Sequence, residues 1–239
     1  MKALIARINA YALMSDLDFS ALEQAAIERL TIERGQTLIR LGEPIMHVFV
    51  VSQGWAIRHR SLHDGRRQVV NLMLPGDCFD LQALLNTKAD HAVEAITSME
   101  VLRARKEEFL AAIQGDARLA ASFWWAAVQE ESILREHIVR LGRRSGRERL
   151  AHLFLELQRR LMLAGLGESD TLSLPLSRDI LADMLGLSPV HVSRSMAALR
   201  NARLIRTQNS TIHLLNRKKL VELAQFDPAY LHVEAERIV

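Results

Sequence analysis

Residues 174–206 read LPLSRDILADMLGLSPVHVSRSMAALRNARLIR, and this stretch decides the fold. The pattern predicts two short helices joined by a tight turn. Ser177 stands before an apolar-periodic run of Ile180, Leu181, Met184 and Leu185, where its hydroxyl can cap a helix start. Gly186 follows, where a helix end needs the left-handed backbone that glycine adopts cheaply. Ser188 is a second cap, and Pro189 suits a first helical position because its missing N–H is not needed there. Val192, Met196 and Leu199 recur at helical spacing and face back to the first helix, while Ala182 leaves room for a close crossing. Val190, His191, Ser193, Arg194 and Arg200 then point outward, with no acidic residue among them. A helix with a basic, hydrogen-bonding outer face and an exposed N-terminus suits the major groove of DNA. Leu204-Ile205-Arg206, the Asn209-Ser210 turn signal and Thr211–Leu215 add a small hairpin directly afterwards, the layout of a winged helix-turn-helix.

Charge supports this reading. Residues 141–220 carry 14 Lys/Arg against 6 Asp/Glu, residues 1–140 carry 16 against 18, and the tail from Val221 carries 1 against 4. A basic unit joined to a near-neutral one is the electrostatic footprint of a polyanion partner. The 239 residues suffice for two modest domains, and 49% hydrophobic against 25% charged residues indicates a globular chain. A single cysteine excludes an intrachain disulfide and suits a reducing compartment. No stretch approaches the length of a membrane span, and the N-terminus lacks a signal-peptide pattern, so the expected location is cytoplasmic.

Residues 1–30 read as helical, with Leu17, Leu22, Ala26 and Leu30 on one stripe. From Thr31 short β-rich runs follow (Thr37–Leu41, Val48–Val51, Trp55–Arg60, Gln68–Leu74, Val93–Ile96 and Glu100–Ala104). They are punctuated by Gly35, Gly42-Glu43-Pro44, Gln53-Gly54, Asp64-Gly65 and Pro75-Gly76-Asp77. That rhythm predicts a jelly-roll-like β-domain at about residues 30–108, with polar and apolar groups alternating through Ala56–Arg60. One long helix is expected from Ala117 to Leu141, and its apolar residues form two stripes. Ala120, Trp124, Ala127, Leu134, Ile138 and Leu141 make one; Leu119, Phe123, Ala126 and Ile133 lie beside it. One stripe packs a helix on its own domain, and a second needs another partner, most simply the same helix of a second copy. A helix wedged between two domains of one chain is the alternative. On the homodimer reading, Phe123, Ala127, Leu134, Ile138 and Leu141 form the dimer interface. Gly142-Arg143-Arg144-Ser145-Gly146 is the expected hinge, with Ser145 capping a further helix at Arg147–Leu163.

The chain is α+β on this reading. It divides into a β-roll sensor domain with its N-terminal helix (1–116), a dimerisation helix and hinge (117–142), a winged helix-turn-helix domain (143–220) and a tail (221–239). In this order of elements it resembles the CRP/FNR family of bacterial transcription regulators. The matching pieces are Gly42-Glu43, Gln53-Gly54, Pro75-Gly76-Asp77, Ser145-Gly146-Arg147, Ser177–Ala182, Gly186-Leu187-Ser188 and Ser193-Arg194. The resemblance implies a homodimer on a two-fold DNA site, with a signal received by the β-roll and RNA polymerase as a further partner. It places the DNA contacts at Ser177, Arg178, Ser188, Pro189, Val190, His191, Ser193 and Arg194. The family's recognition arginine falls on Arg194, whose planar fork can bond guanine O6 and N7 together. The family's usual glutamate before that arginine is here Val190, so its base pair should be read less strictly or by methyl contact with thymine.

The effector region departs from the family pattern. Cyclic-nucleotide-binding members hold the phosphate with a Gly-Glu pair and then an Arg-Ser or Arg-Thr pair. Here Gly76–Ala83 and Asp90-His91-Ala92 occupy that region without the arginine. Asp80 and Asp90 would repel a phosphodiester, so cyclic AMP is not expected to bind tightly. Cys78 alone cannot ligate an iron–sulfur cluster. The candidate effector residues are Cys78, Asp80, Gln82, Asp90 and His91, for an unidentified small molecule and no assigned cofactor or metal. Cys78 reads as a redox thiol or an inert buried side chain, and His91 as an axial haem ligand or a satisfied histidine. Two other functions compete. A metal-dependent jelly-roll enzyme needs converging histidines and a carboxylate, which His47, His59, His63 and His91 do not reproduce by spacing. A sensor acting only through protein contacts would not need the basic winged unit.

Overall fold

The computed structural model describes residues 2–9, 28–85 and 87–231. Helix α1 (Lys2–Asn9) is followed by a β-roll of two four-stranded antiparallel sheets. One sheet has the order β1 (Glu28–Ile32), β8 (Met99–Arg105), β3 (His47–Gln53), β6 (Cys78–Phe79). The other runs β2 (Thr37–Ile39), β7 (Ala92–Ala95), β4 (Ala56–Ser61), β5 (Arg67–Met73). The expected strands are present within a residue or two at each end. Leu30, expected on a helix, instead lies in β1, where it pairs with Val101; Leu17, Leu22 and Ala26 lie outside the described residues. The alternation expected through Ala56–Arg60 is broken. A bulge between Arg58 and His59 turns both half-inward, while Ala56 and Ile57 are both buried. Gly54 is required by space as well as conformation, because a Cβ there would come within 2.4 Å of the Ser98 carbonyl oxygen.

Helices α2 (Lys106–Gln114) and α3 (Ala117–Arg143) follow the β-roll. Asp116 caps α3, accepting from the backbone N–H groups of Arg118 and Leu119. The helix continues past Leu141 and through Gly142. Helix α4 (Gly146–Leu163) resumes after only two non-helical residues, Arg144 and Ser145. Neither glycine of the expected hinge therefore supplies a flexible link. Gly146 is buried in the first turn of α4, where a Cβ would lie 2.8 Å from His191 Nε2 and 2.9 Å from Ser195 Oγ. It permits a close crossing.

Beyond α4 come β9 (Thr171–Ser173), α5 (Arg178–Leu185), α6 (Pro189–Asn201), β10 (Ile205–Gln208), β11 (Thr211–Leu214) and α7 (Arg217–Ala224), then a 3₁₀ turn at Pro228–Leu231. The three strands form one antiparallel sheet in the order β10-β11-β9. Two hydrophobic clusters organise the molecule. One fills the β-roll and takes in Leu4 and Ile8 of α1, Phe109 of α2, and Leu119 and Phe123 of α3. The other joins Ile57, Val69 and Leu72 of the second sheet, and Leu74 just after β5, to Leu150, Phe154 and Leu157 of α4, and continues to Leu185, Val192 and Leu199. The outer face of β4 and β5 is thus covered by the C-terminal unit, each fully buried aliphatic side chain contributing about 1.5–3 kcal/mol. Polar links cross the same boundary: Arg67 with Asp183 at 2.8 Å, Gln68 Nε2 to the Met184 carbonyl at 3.3 Å, and Arg160 with Asp77 at 2.7 Å.

Candidate nucleic-acid interface and ligand cavity

The helix-turn-helix is built as its local chemistry dictates. Ser177 Oγ accepts from the Ile180 N–H at 3.2 Å and starts α5. Gly186 ends it with φ +60° and ψ +40°, its N–H donating to the Ala182 carbonyl. Ser188 Oγ accepts from the His191 N–H at 3.2 Å, and Pro189 opens α6. Val192, Ser195 and Leu199 are buried inward. Ser177, Arg178, Ser188, Pro189, Val190, His191, Arg194 and Arg200 are exposed. Ser193 is half-buried and donates its hydroxyl back to the Pro189 carbonyl at 3.0 Å, leaving an oxygen that can only accept. None of Arg178, Arg194, Arg200 and Arg206 pairs with a described carboxylate, whereas the interior Arg140, Arg144 and Arg160 are all ion-paired.

Two clefts flank α6. One, of about 490 Å³, is bounded by Ser145 and Arg147 on the α4 side and by Ser188, Val190, His191 and Arg194. The other, of about 260 Å³, lies toward the hairpin and is bounded by Arg178, Ser193, Arg200, Thr207, Asn209 and Ser210. Asn209 takes φ +52° at the hairpin tip, a backbone that asparagine tolerates better than most residues.

A third cavity, of about 530 Å³, lies between the β-roll and α3. It brings together Asp80, Gln82, Asp90 and His91 with Arg58 and Arg60 of β4 and with Ala127, Glu130 and Leu134 of α3. Arg58 Nη2 lies 3.1 Å from Asp80 Oδ1, and Arg58 also pairs with Glu130. His91 places Nε2 3.1 Å from Asp80 Oδ1 and Nδ1 2.7 Å from Asp90 Oδ1. The hydrogen bond from His91 holds the Asp90 carboxyl below its usual range. Both ring nitrogens of His91 face carboxylates, so the haem-ligand reading would require breaking one of these contacts.

Two sequence expectations change here. Cys78 does not line the cavity; it is buried in the β-roll core, and burial pushes its thiol well above the usual cysteine range, so it lacks the accessible thiolate of a redox sensor. The cavity does contain a fixed arginine, Arg58. It arrives on β4 through the pairing of Arg58 with Val93 of β7, far from the 76–92 stretch where a phosphate-holding cation was sought. The sequence marks Arg58 only as one of several polar residues in β4, whose six residues read AIRHRS.

The stripes of α3 divide between interior and surface. Leu119, Phe123, Ala126 and Ile133 are buried against the chain's own core, and Trp124, Ala127 and Ile138 are exposed, with Leu134 and Leu141 partly so. Phe123, expected on the dimer face, packs edge-on against Phe109 at 4.8 Å between ring centroids. Trp124, 76% exposed, holds the outward position instead.

Residues 29–116 match the model of the cyclic nucleotide-binding domain, and residues 148–223 match that of the Crp-like helix-turn-helix domain. A sensing β-roll joined through a long helix to a DNA-binding head defines a transcription regulator. The chain is 32% identical over 219 residues to the nitrogen fixation regulation protein FixK of Bradyrhizobium diazoefficiens, covering 91% of both chains. It is also 32% identical over 186 residues to the transcriptional activator protein FnrL of Cereibacter sphaeroides, covering 77% of this chain and 74% of the relative. The solved structure of FixK2 from Bradyrhizobium japonicum superposes with a TM-score of 0.74 at 28% identity, covering 83% of this chain and 97% of that one. The chain belongs to the CRP/FNR family of transcription regulators.

Proposed function

We propose that this regulator acts as a homodimer that lays α6 of each copy into successive major grooves of a two-fold operator. The observation that carries this reading is the contrast on two helices. The outward face of α6 is basic and unneutralised by described carboxylates, and α3 exposes Trp124, Ala127 and Ile138 in a row with Leu134 and Leu141. Arg194 reads guanine, Val190 touches a thymine methyl, and Ser177, Arg178, Ser188, Pro189, His191 and Ser193 orient the helix on phosphates and base edges. The 141–220 charge excess supports the affinity, and RNA polymerase is recruited or blocked by the bound dimer. No helix among the described residues is long and apolar enough to cross a membrane.

The cavity at Asp80, Gln82, Asp90 and His91 is the effector site of this reading. Its walls include Ala127 and Leu134, so a ligand there adjoins the exposed stripe of α3. The division into a β-roll, a long helix and a C-terminal unit is kept as part of this proposal, with one change: α7 (Arg217–Ala224) crosses the expected 220/221 boundary, and the segment after it meets both Glu156 of α4, through Tyr230, and Gln129 of α3, through the Leu231 carbonyl. A catalytic role is not favoured, since the relatives the chain matches are a nitrogen fixation regulation protein and a transcriptional activator. Selection of duplexes from a random pool, followed by gel shift and light scattering, tests the proposal. A two-fold consensus bound by a dimer supports it. A monomer binding every duplex equally overturns it.

A further inference from the structure

We propose that Asp80 is a built-in anion: its carboxylate occupies the place beside Arg58 and His91 that an anionic ligand would otherwise fill, and so excludes phosphate-bearing ligands from the β-roll cavity. This rests on the reading of that cavity as the ligand site, and is independent of the DNA-reading face. Three observations carry it. Asp80 holds φ +60°, a left-handed backbone uncommon outside glycine, although aspartate tolerates it better than most residues. Its side chain is fully buried, and one oxygen, Oδ1, serves both Arg58 and His91 at 3.1 Å. The other oxygen, Oδ2, is buried with no partner among the described residues, although Asp80 forms part of the cavity wall. A glycine here would relieve the backbone and remove the half-satisfied carboxylate. What the aspartate supplies is a fixed negative charge where two nitrogen donors converge. An entering phosphate would meet Asp80, Asp90 and Glu130 together, and Arg58 would have to abandon two carboxylates to receive it.

The test uses the full-length chain, with cyclic AMP and inorganic phosphate as probes in isothermal titration. Wild type should give no saturable heat with either. Asp80→Gly should give saturable cyclic AMP binding at least about tenfold tighter than the weakest affinity the titration can detect. Adding Arg58→Gln should abolish the gain. Asp80→Gly relieves the backbone but takes a buried partner from Arg58 and His91, so its melting point is read beside its binding; where it melts lower than wild type, Asp80→Asn, which keeps the shape and removes the charge, is judged by the same gain. Folded Asp80→Gly and Asp80→Asn that bind no better than wild type overturn the proposal, as does wild type binding cyclic AMP equally well. A gain in ligand binding without any change in DNA affinity upholds the role of Asp80 and instead removes the effector reading of the cavity.

Discussion

Arg160 of α4 and Asp77 of the β5–β6 turn form an ion pair at 2.7 Å, with side chains only 5% and 8% exposed. The same guanidinium donates to the Leu72 carbonyl at 2.8 Å, and Asp77 is shared with Arg7 and with the Leu74 N–H. This knot ties the head to the sensor. Removing one partner of such a pair strands the other in the interior, at a cost of about 3–5 kcal/mol. Arg160→Gln should therefore lower the thermal midpoint and split a single calorimetric transition into two. An unchanged single transition would show that the apolar contacts of β4 and β5 join the units unaided.

Arg194→Ala removes the exposed fork of α6. Affinity should fall by about 1–3 kcal/mol per half-site, with relaxed preference at one base pair. Quantitative gel shifts on point-substituted operators check this. Equal loss on every sequence would reduce Arg194 to a phosphate contact.

Ile138→Glu places a charge on a residue that is 69% exposed in one copy. Because it disturbs nothing within the protomer, the variant should keep its melting behaviour at low concentration but scatter light as a monomer. Phe123→Ala should do the reverse, costing roughly 3–5 kcal/mol of stability through the cavity it opens beside Phe109 while leaving association to the exposed stripe. A dimeric Ile138→Glu would move the interface elsewhere.

His137 is buried on α3, and burial followed by the charge of Arg140 lowers its pKa from 6.5 to about 4, against the opposing pull of Glu156. The unfolded chain takes up a proton near 6.5, while the folded chain keeps this ring neutral until about 4. Stability is thus complete above pH 6.5 and is lost as pH falls through that window. With a tenfold change in proton affinity worth about 1.4 kcal/mol, the loss is on the order of 3 kcal/mol. Urea midpoints at neutral and mildly acidic pH should separate in wild type and draw together in His137→Leu. Equal separation in both would assign the acid sensitivity to other groups.

Cyclic AMP should leave operator affinity of the wild-type chain unchanged, since the one arginine deep in the cavity already serves Asp80 and Glu130. A saturable enhancement in fluorescence anisotropy would contradict this.

What the sequence revealed was local. Ser177, Gly186, Ser188 and Pro189 act within four residues of themselves, and the doubled stripe of α3 is a matter of helical period, so the sequence alone carries them. Arg58 was not, because its partners lie 22 and 72 residues away and meet it only through strand pairing. Gly146 misled for a related reason: glycine permits both flexibility and close approach, and only the position of His191 tells which. The role of the tail was equally hidden, since Tyr230 donates to Glu156 at 2.7 Å across 74 residues.

Gln129, in the middle of α3, accepts from Arg7 of the first helix, 122 residues before it, and donates to the Leu231 carbonyl, 102 residues after it. During synthesis Arg7 is made well before Gln129, and Leu231 only well after it. A nascent β-roll can therefore close around Arg7 while its long helix still lacks its later partner. A change at Arg7 or in the Pro228–Leu231 turn is an intervention at the centre of the molecule.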